Sequence, residues 1–151
     1  MKRIVGNGLI AKSLAEINFT NDCLILASGV SNSGEQRESE FQREIEIVKK
    51  SILENPSSEV IYFSTCSVYQ KNWTRYIHHK MEMEALIAEK SSTFYIYRLP
   101  QLVGLVRNST LVSYLVECVL EGRIVKIQAN AKRNILDVRD AVRLFHYLVE
   151  N

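Results

Sequence analysis

Short apolar runs alternate with helix-length amphipathic stretches along the whole chain, and that alternation commits it to a layered α/β fold. Cys23-Leu24-Ile25-Leu26-Ala27 is the plainest case. An uninterrupted apolar run this short, closed by Ser28 and Gly29, suits a strand buried on both faces of a parallel sheet. Val60–Ser64 and Phe94–Arg98 read the same way, and Lys2–Val5 reads as a short opening strand. A further short strand is expected near Ile124–Ile127. Helices are expected over Leu9–Ile17, Arg37–Glu54, Tyr76–Lys90, Leu111–Leu120 and Val138–Val149. In the second of these, Phe41, Ile45, Val48 and Ile52 share one face, and the charged residues are expected to form the solvated face. Pro56 marks its end. The expected architecture is a three-layer, Rossmann-like fold with a mostly parallel sheet. The chain has 151 residues, which suits one compact domain over 1–151.

Composition narrows the function classes. A formal net charge of +2, with no run of five or more like charges, argues against nucleic acid or an anionic membrane as partner. No segment approaches the about 18 apolar residues of a membrane span. Lys2-Arg3 leads straight into Ile4-Val5-Gly6, without the apolar stretch of a secretion signal. Cys23, Cys66 and Cys118 are odd in number and widely spaced, which favours reduced thiols in a cytoplasm over disulfides or a metal site. Cys23 and Cys118 read as core fillers.

Gly6-Asn7-Gly8-Leu9-Ile10-Ala11 fits G-x-G-x-x-A between a strand and a helix. Glycines let backbone pass close to a pyrophosphate, and a helix N-terminus offers unpaired N–H groups. A tight turn alone also wants glycine, so both explanations stand at this point. The acidic residue that such a loop expects about 20 positions on is missing, since Asp22 precedes the second strand rather than following it.

Tyr76-Ile-His-His-Lys80 is Y-x-x-x-K at the start of a helix. One helical turn places phenol and ammonium side by side. A nearby cation is expected to lower the tyrosine towards neutrality and make it a workable general acid or base. Lys80 would also reach ribose hydroxyls. His78 and His79 read as helix residues with no part in the chemistry.

The segment Ile61-Tyr-Phe-Ser-Thr-Cys-Ser-Val-Tyr69 resembles the "strand, S-S/T-x-x-V-Y-G" segment of the extended short-chain dehydrogenases/reductases, the epimerase and dehydratase branch. Other stretches resemble that family in the same order. Asp22–Gly29 is similar to "D-x-V-I-H-L-A-A", Arg98–Gly104 to "R-x-x-N-V-Y-G-P", and Arg133–Asp140 to "R-D-F-I-H-V-D-D". The resemblance implies NAD or NADP as cofactor and a nucleotide-sugar as substrate. It implies that Thr65 hydrogen-bonds the substrate, Tyr76 transfers the proton and Lys80 orients the nicotinamide ribose. Gly6, Asn7, Gly8, Leu9, Ile10, Ala27, Ser28, Gly29, Ser64 and Leu99 would line the cofactor, and Gln101 and Arg133 the substrate. Asp140 reads as a helix cap.

Against the family pattern, the usual second and third strands are missing, because only Asn18–Asp22 lie between the first helix and the next strand. Half the adenine pocket would go with them. If the second strand pairs beside the first on the usual inner side, the first helix is expected to lie on a different face. A homodimer would cover the openings. The expected function is an NAD(P)-dependent reductase or epimerase. The alternatives are a non-catalytic nucleotide-binding module and a fragment of a longer enzyme.

Overall fold

The computed structural model describes residues 3–104, 111–127, 129–130 and 132–150. The elements are β1 (Arg3–Val5), α1 (Leu9–Ala15), β2 (Cys23–Leu26), α2 (Glu38–Glu54), β3 (Glu59–Thr65), α3 (Arg75–Lys90), β4 (Phe94–Leu99), β5 (Gln101–Val103), α4 (Leu111–Leu120), β6 (Ile135–Asp137) and α5 (Val138–Glu150). A 3-10 turn, Cys66–Tyr69, follows β3. Strands β1 to β4 form one parallel sheet in sequence order, and β5 pairs with β6 in parallel apart from it.

All of β2 is buried, as its apolar run predicts. Side chains alternate between faces along a strand. Cys23 and Ile25, with Ile61 of β3, therefore meet Leu9 and Leu14 of α1 and Val142 and Phe145 of α5. Leu24 and Leu26, with Val60 and Tyr62, meet Val48 and Ile52 of α2 and Met83 and Ile87 of α3. Two cores thus share one sheet, and helices cover both of its faces. Each fully buried Leu or Ile contributes about 1.5–3 kcal/mol.

The two cores also fix the hand of the connections. Each of the first three connections steps one strand along the sheet in the same direction. Helices α2 and α3 cover one face, and α1 covers the other. The β1–α1–β2 crossover is therefore opposite in hand to the two that follow it. If those two obey the general right-handed rule, the first connection is left-handed. The first helix therefore does not change face as the right-handed rule led us to expect: it stays opposite α2 and α3, held there by α5. Phe19, just beyond α1, packs edge-on to Phe145, and Glu150 accepts hydrogen bonds from Thr20 N–H and Oγ1 (3.0 and 2.7 Å).

Several boundaries differ from expectation. Residues 124–127 form no strand, and Ile124 and Ile127 are 93% and 85% exposed. The second sheet is built instead from β5 and β6, which are too short to show a period in the sequence. Pro100 separates β5 from β4 because it has no N–H to continue the ladder. Helix α1 stops at Ala15, and Lys2 lies outside the described residues. Asp137, rather than Asp140, caps α5 by accepting the Arg139 N–H (2.8 Å). Among the described residues no helix is long and apolar enough to cross a membrane.

Candidate active site

In an open parallel sheet the carboxyl ends of the strands form the crevice where ligands bind. Four groups of the expected residues lie there. Gly6–Asn7–Gly8 follows β1, Ala27–Ser28–Gly29 follows β2, Ser64–Thr65 ends β3, and Leu99 ends β4 in register with Thr65. Gln101 lies on the separate two-stranded sheet and Arg133 just ahead of it. The Gln101 N–H donates to the Asn134 carbonyl (3.1 Å), and Arg133 is exposed just before β6. The structure thus gathers the cofactor set and leaves the two substrate candidates at the other sheet.

The two loop glycines differ in kind. Gly6 has φ +131°, and a Cβ there would stand 2.3 Å from the Ala27 carbonyl oxygen. The β1–α1 turn presses on the end of β2, where the Ala27 N–H donates to the Val5 carbonyl (2.8 Å). Gly8 stands ahead of α1 with an extended backbone, and a Cβ there would meet nothing within 4 Å. Leu9 is buried in the core and Ile10 half-buried, so both offer the loop their backbone only.

On α3, the Thr74 side chain accepts the Ile77 N–H (3.4 Å) and starts the helix at the Y-x-x-x-K segment. The Thr65 side chain lies near enough to the Tyr76 phenol to favour its ionised form. Thr65 Oγ1 also accepts the Ser67 N–H (3.1 Å). Lys80 Nζ lies 5.9 Å from the centre of the Tyr76 ring. The Ser64 hydroxyl donates to Glu84 (2.5 Å), which also receives the Arg98 guanidinium at 3.0 and 2.6 Å.

Beneath this set lies a buried cluster that the sequence reading missed. Glu44, on α2, is wholly buried. One of its oxygens accepts from Tyr62 OH (2.7 Å) and Lys80 Nζ (3.0 Å). The other accepts from the Val30 N–H (2.7 Å) and bonds His79 Nε2 (2.9 Å). Lys80 also donates to Tyr62 OH (2.8 Å). The solvated face expected for α2 is thus corrected at this position. Glu44 stands three residues after Phe41 and four before Val48, on the stripe that faces the sheet. A carboxylate set between two core positions was the available signal. His79 is likewise buried, against Phe41, while His78 lies beside Trp73.

The electrostatics depart from expectation too. Burial pushes Tyr76 up to about 12, against the lowering effect of the neighbouring Thr65 side chain, and the Glu44 charge pushes the same way. The expected lowering towards neutrality is absent because burial of the phenol outweighs it and the Glu44 charge adds to the rise. Burial alone would raise the Glu44 carboxyl, but the His79 hydrogen bond and the Lys80 charge hold it down at about 2. Burial lowers Lys80, and Glu44 works against that lowering.

The residues fit part of a dinucleotide. Space is open over Gly8, and Ser28 Oγ is buried with no hydrogen-bond partner. A Cβ at Gly29 would stand 2.7 Å from Lys80 Nζ and 2.8 Å from Glu44, so the ion pair lies directly against that loop.

By sequence, no protein-family model and no curated protein matches the chain. By structure, it is similar to WbmH of Bordetella bronchiseptica in complex with NAD+ (TM-score 0.66, 17% identity), covering 95% of this chain and 53% of that one. It is similar to UDP-N-acetylglucosamine 4-epimerase of Bacillus cereus (0.60, 19%), covering 85% and 53%. It is also similar to the capsular polysaccharide assembling protein CapF of Staphylococcus aureus (0.57, 18%), covering 95% and 38%. The chain thus shares a Rossmann-type fold with these structures. It spans about half the length of the first two proteins and 38% of the third. Within this fold β1 is the edge of the four-stranded sheet, as the loss of the second and third strands requires.

Proposed function

We propose that the chain binds NAD or NADP across the loops after β1 and β2 and works at a carbonyl or hydroxyl carbon of a nucleotide-linked sugar. The observation that carries this reading is the place of Lys80, with its Nζ 5.9 Å from the centre of the Tyr76 ring and directly against Gly29, while Thr65 ends β3 beside the same phenol. Bound there, the nicotinamide would supply or accept hydride. Gly8 leaves room for the phosphates, and Gly6 brings the β1 loop down on β2. Ser28 offers a buried hydroxyl. Thr65 and Tyr76 together present hydrogen-bonding oxygens to a substrate oxygen. With its phenol held protonated, Tyr76 stands ready as an acid, which suits proton donation to a carbonyl being reduced. The nucleotide-sugar substrate rests on the family resemblance and on the kind of proteins that share this fold.

A second reading, binding without turnover, is favoured by one observation. Glu44 pairs with the lysine that would otherwise activate the phenol. Titration of NADH and NADPH against wild type and Gly8→Trp, followed by nicotinamide fluorescence, tests both readings. Binding that Gly8→Trp abolishes, followed by oxidation of NADH or NADPH with 4-keto nucleotide sugars, is the expected result. No binding of either dinucleotide to wild type refutes both, and binding without turnover selects the second.

A further inference from the structure

The strongest feature outside the expected set is the carboxylate of Glu44. Its four hydrogen bonds reach three other parts of the fold: Val30 in the loop after β2, Tyr62 on β3, and His79 and Lys80 on α3. A carboxylate has about four lone-pair positions, and all are filled here. Because Glu44 only accepts, His79 carries its hydrogen on Nε2. That leaves Nδ1 without a hydrogen-bond partner, with the Glu82 carboxylate 4.0 Å away. No glutamine can reproduce this pattern. It would present one acceptor oxygen and an NH2 group, and the NH2 would face either Tyr62 and Lys80 or the Val30 N–H and His79. At least one of those pairs must break.

We infer that Glu44 is a positioning residue: it holds Lys80 against Gly29 and ties the loop after β2 to α3, so that the two halves of the cofactor site keep one spacing. This rests on the assignment of Lys80 and Gly29 to the cofactor site. The geometry on both sides supports it. Gly29 must lack a side chain because the Lys80–Glu44 pair occupies the space, and Val30, the next residue, donates its N–H to the same carboxylate. Lys80 is buried, so its ammonium has no water shell to fall back on and points where its acceptors are. The titratable and charged groups facing the pair are Tyr62 on β3 and Tyr76, His79 and Glu84 on α3. Glu82 and Glu38 lie beyond His79.

The experiment combines two readouts on wild type, Glu44→Gln and Glu44→Asp. The first is the titration of the Lys80 ε-methylene resonance in lysine-labelled protein, assigned with Lys80→Arg. It needs no cofactor. The second is the affinity for NADH across neutral pH. Loss of the carboxylate charge should make Lys80 lose its proton at lower pH in Glu44→Gln than in wild type. NADH should bind about tenfold more weakly or worse, the scale of a lost charge-assisted hydrogen bond. Glu44→Asp keeps the charge but has one methylene less reach, so both readouts should fall between the other two. If Glu44→Gln does not fold, the comparison of Glu44→Asp with wild type decides. A Lys80 titration unchanged in every folded variant overturns the inference, whatever the cofactor does. Failure of wild type to bind NADH or NADPH instead refutes the proposed function, and the lysine titration still reports on Glu44.

Discussion

Gly6→Ala and Gly8→Ala, two single-methyl additions within one motif, should have opposite consequences. At Gly6 the backbone has φ +131°, where L side chains rarely sit, and such strain costs about 1–3 kcal/mol. The new Cβ would also lie 2.3 Å from the Ala27 carbonyl oxygen and 2.5 Å from its carbon. Both are backbone atoms of the strand end that anchors both cores, so relief requires moving β1 away from β2. Overpacking of this kind costs roughly another 1–3 kcal/mol. The sum, about 2–6 kcal/mol, is a large part of the roughly 5–15 kcal/mol that holds a domain together. At roughly 2–4 °C per kcal/mol for a chain of this size, the melting temperature should fall by about 10 °C. At Gly8 the backbone is extended and nothing lies within 4 Å, so Gly8→Ala should cost no more than about 1 kcal/mol. Its methyl group instead enters the space assigned to phosphate and should weaken NADH binding. Thermal and urea denaturation followed by circular dichroism, with NADH titration of each folded variant, read the contrast. Equal destabilisation by the two changes would refute the division into a turn glycine and a ligand glycine.

Two further outcomes concern titration. The Glu44 carboxyl is held at about 2, below its value in an unfolded chain, so its stabilising contribution is present above the unfolded carboxylate value and is lost as pH falls from about 5 towards 2. That contribution is roughly 3 kcal/mol, so Glu44→Gln should flatten the acid limb of a stability–pH curve; an unaltered limb would remove Glu44 as its source. With Tyr76 pushed up to about 12, wild type and Tyr76→Phe should show the same phenolate absorbance up to about pH 10 in the absence of ligand. A phenolate signal near neutral pH that disappears in Tyr76→Phe would show that the phenol is activated after all.

Much of the fold was legible because its signals are local. The buried strand β2 shows as an unbroken apolar run, and α3 and α4 fall where their periodicity puts them. The proposed trio of Thr65, Tyr76 and Lys80 could be picked out from the sequence alone, since Y-x-x-x-K at a helix start and a hydroxyl-rich strand end are patterns within single segments. Glu44 could not, because its role depends on partners from three other parts of the fold and its own helix reads as amphipathic without it. The charge state of Tyr76 escaped for the same reason: the sequence places a cation one turn away but shows neither the burial that outweighs it nor the Glu44 charge that adds to the rise.

By itself, the sequence determined a parallel α/β sheet, its strands, and the glycines and hydroxyls at the strand ends, because strand burial and helix periodicity are written in neighbouring residues. Only the tertiary structure decided which face α1 takes, that β5 pairs with β6 away from the main sheet, and that a wholly buried carboxylate meets Lys80 beneath Gly29. Those outcomes depend on which surfaces close against one another, and with them the dielectric and the neighbouring charges that set how a phenol and an ammonium hold their protons.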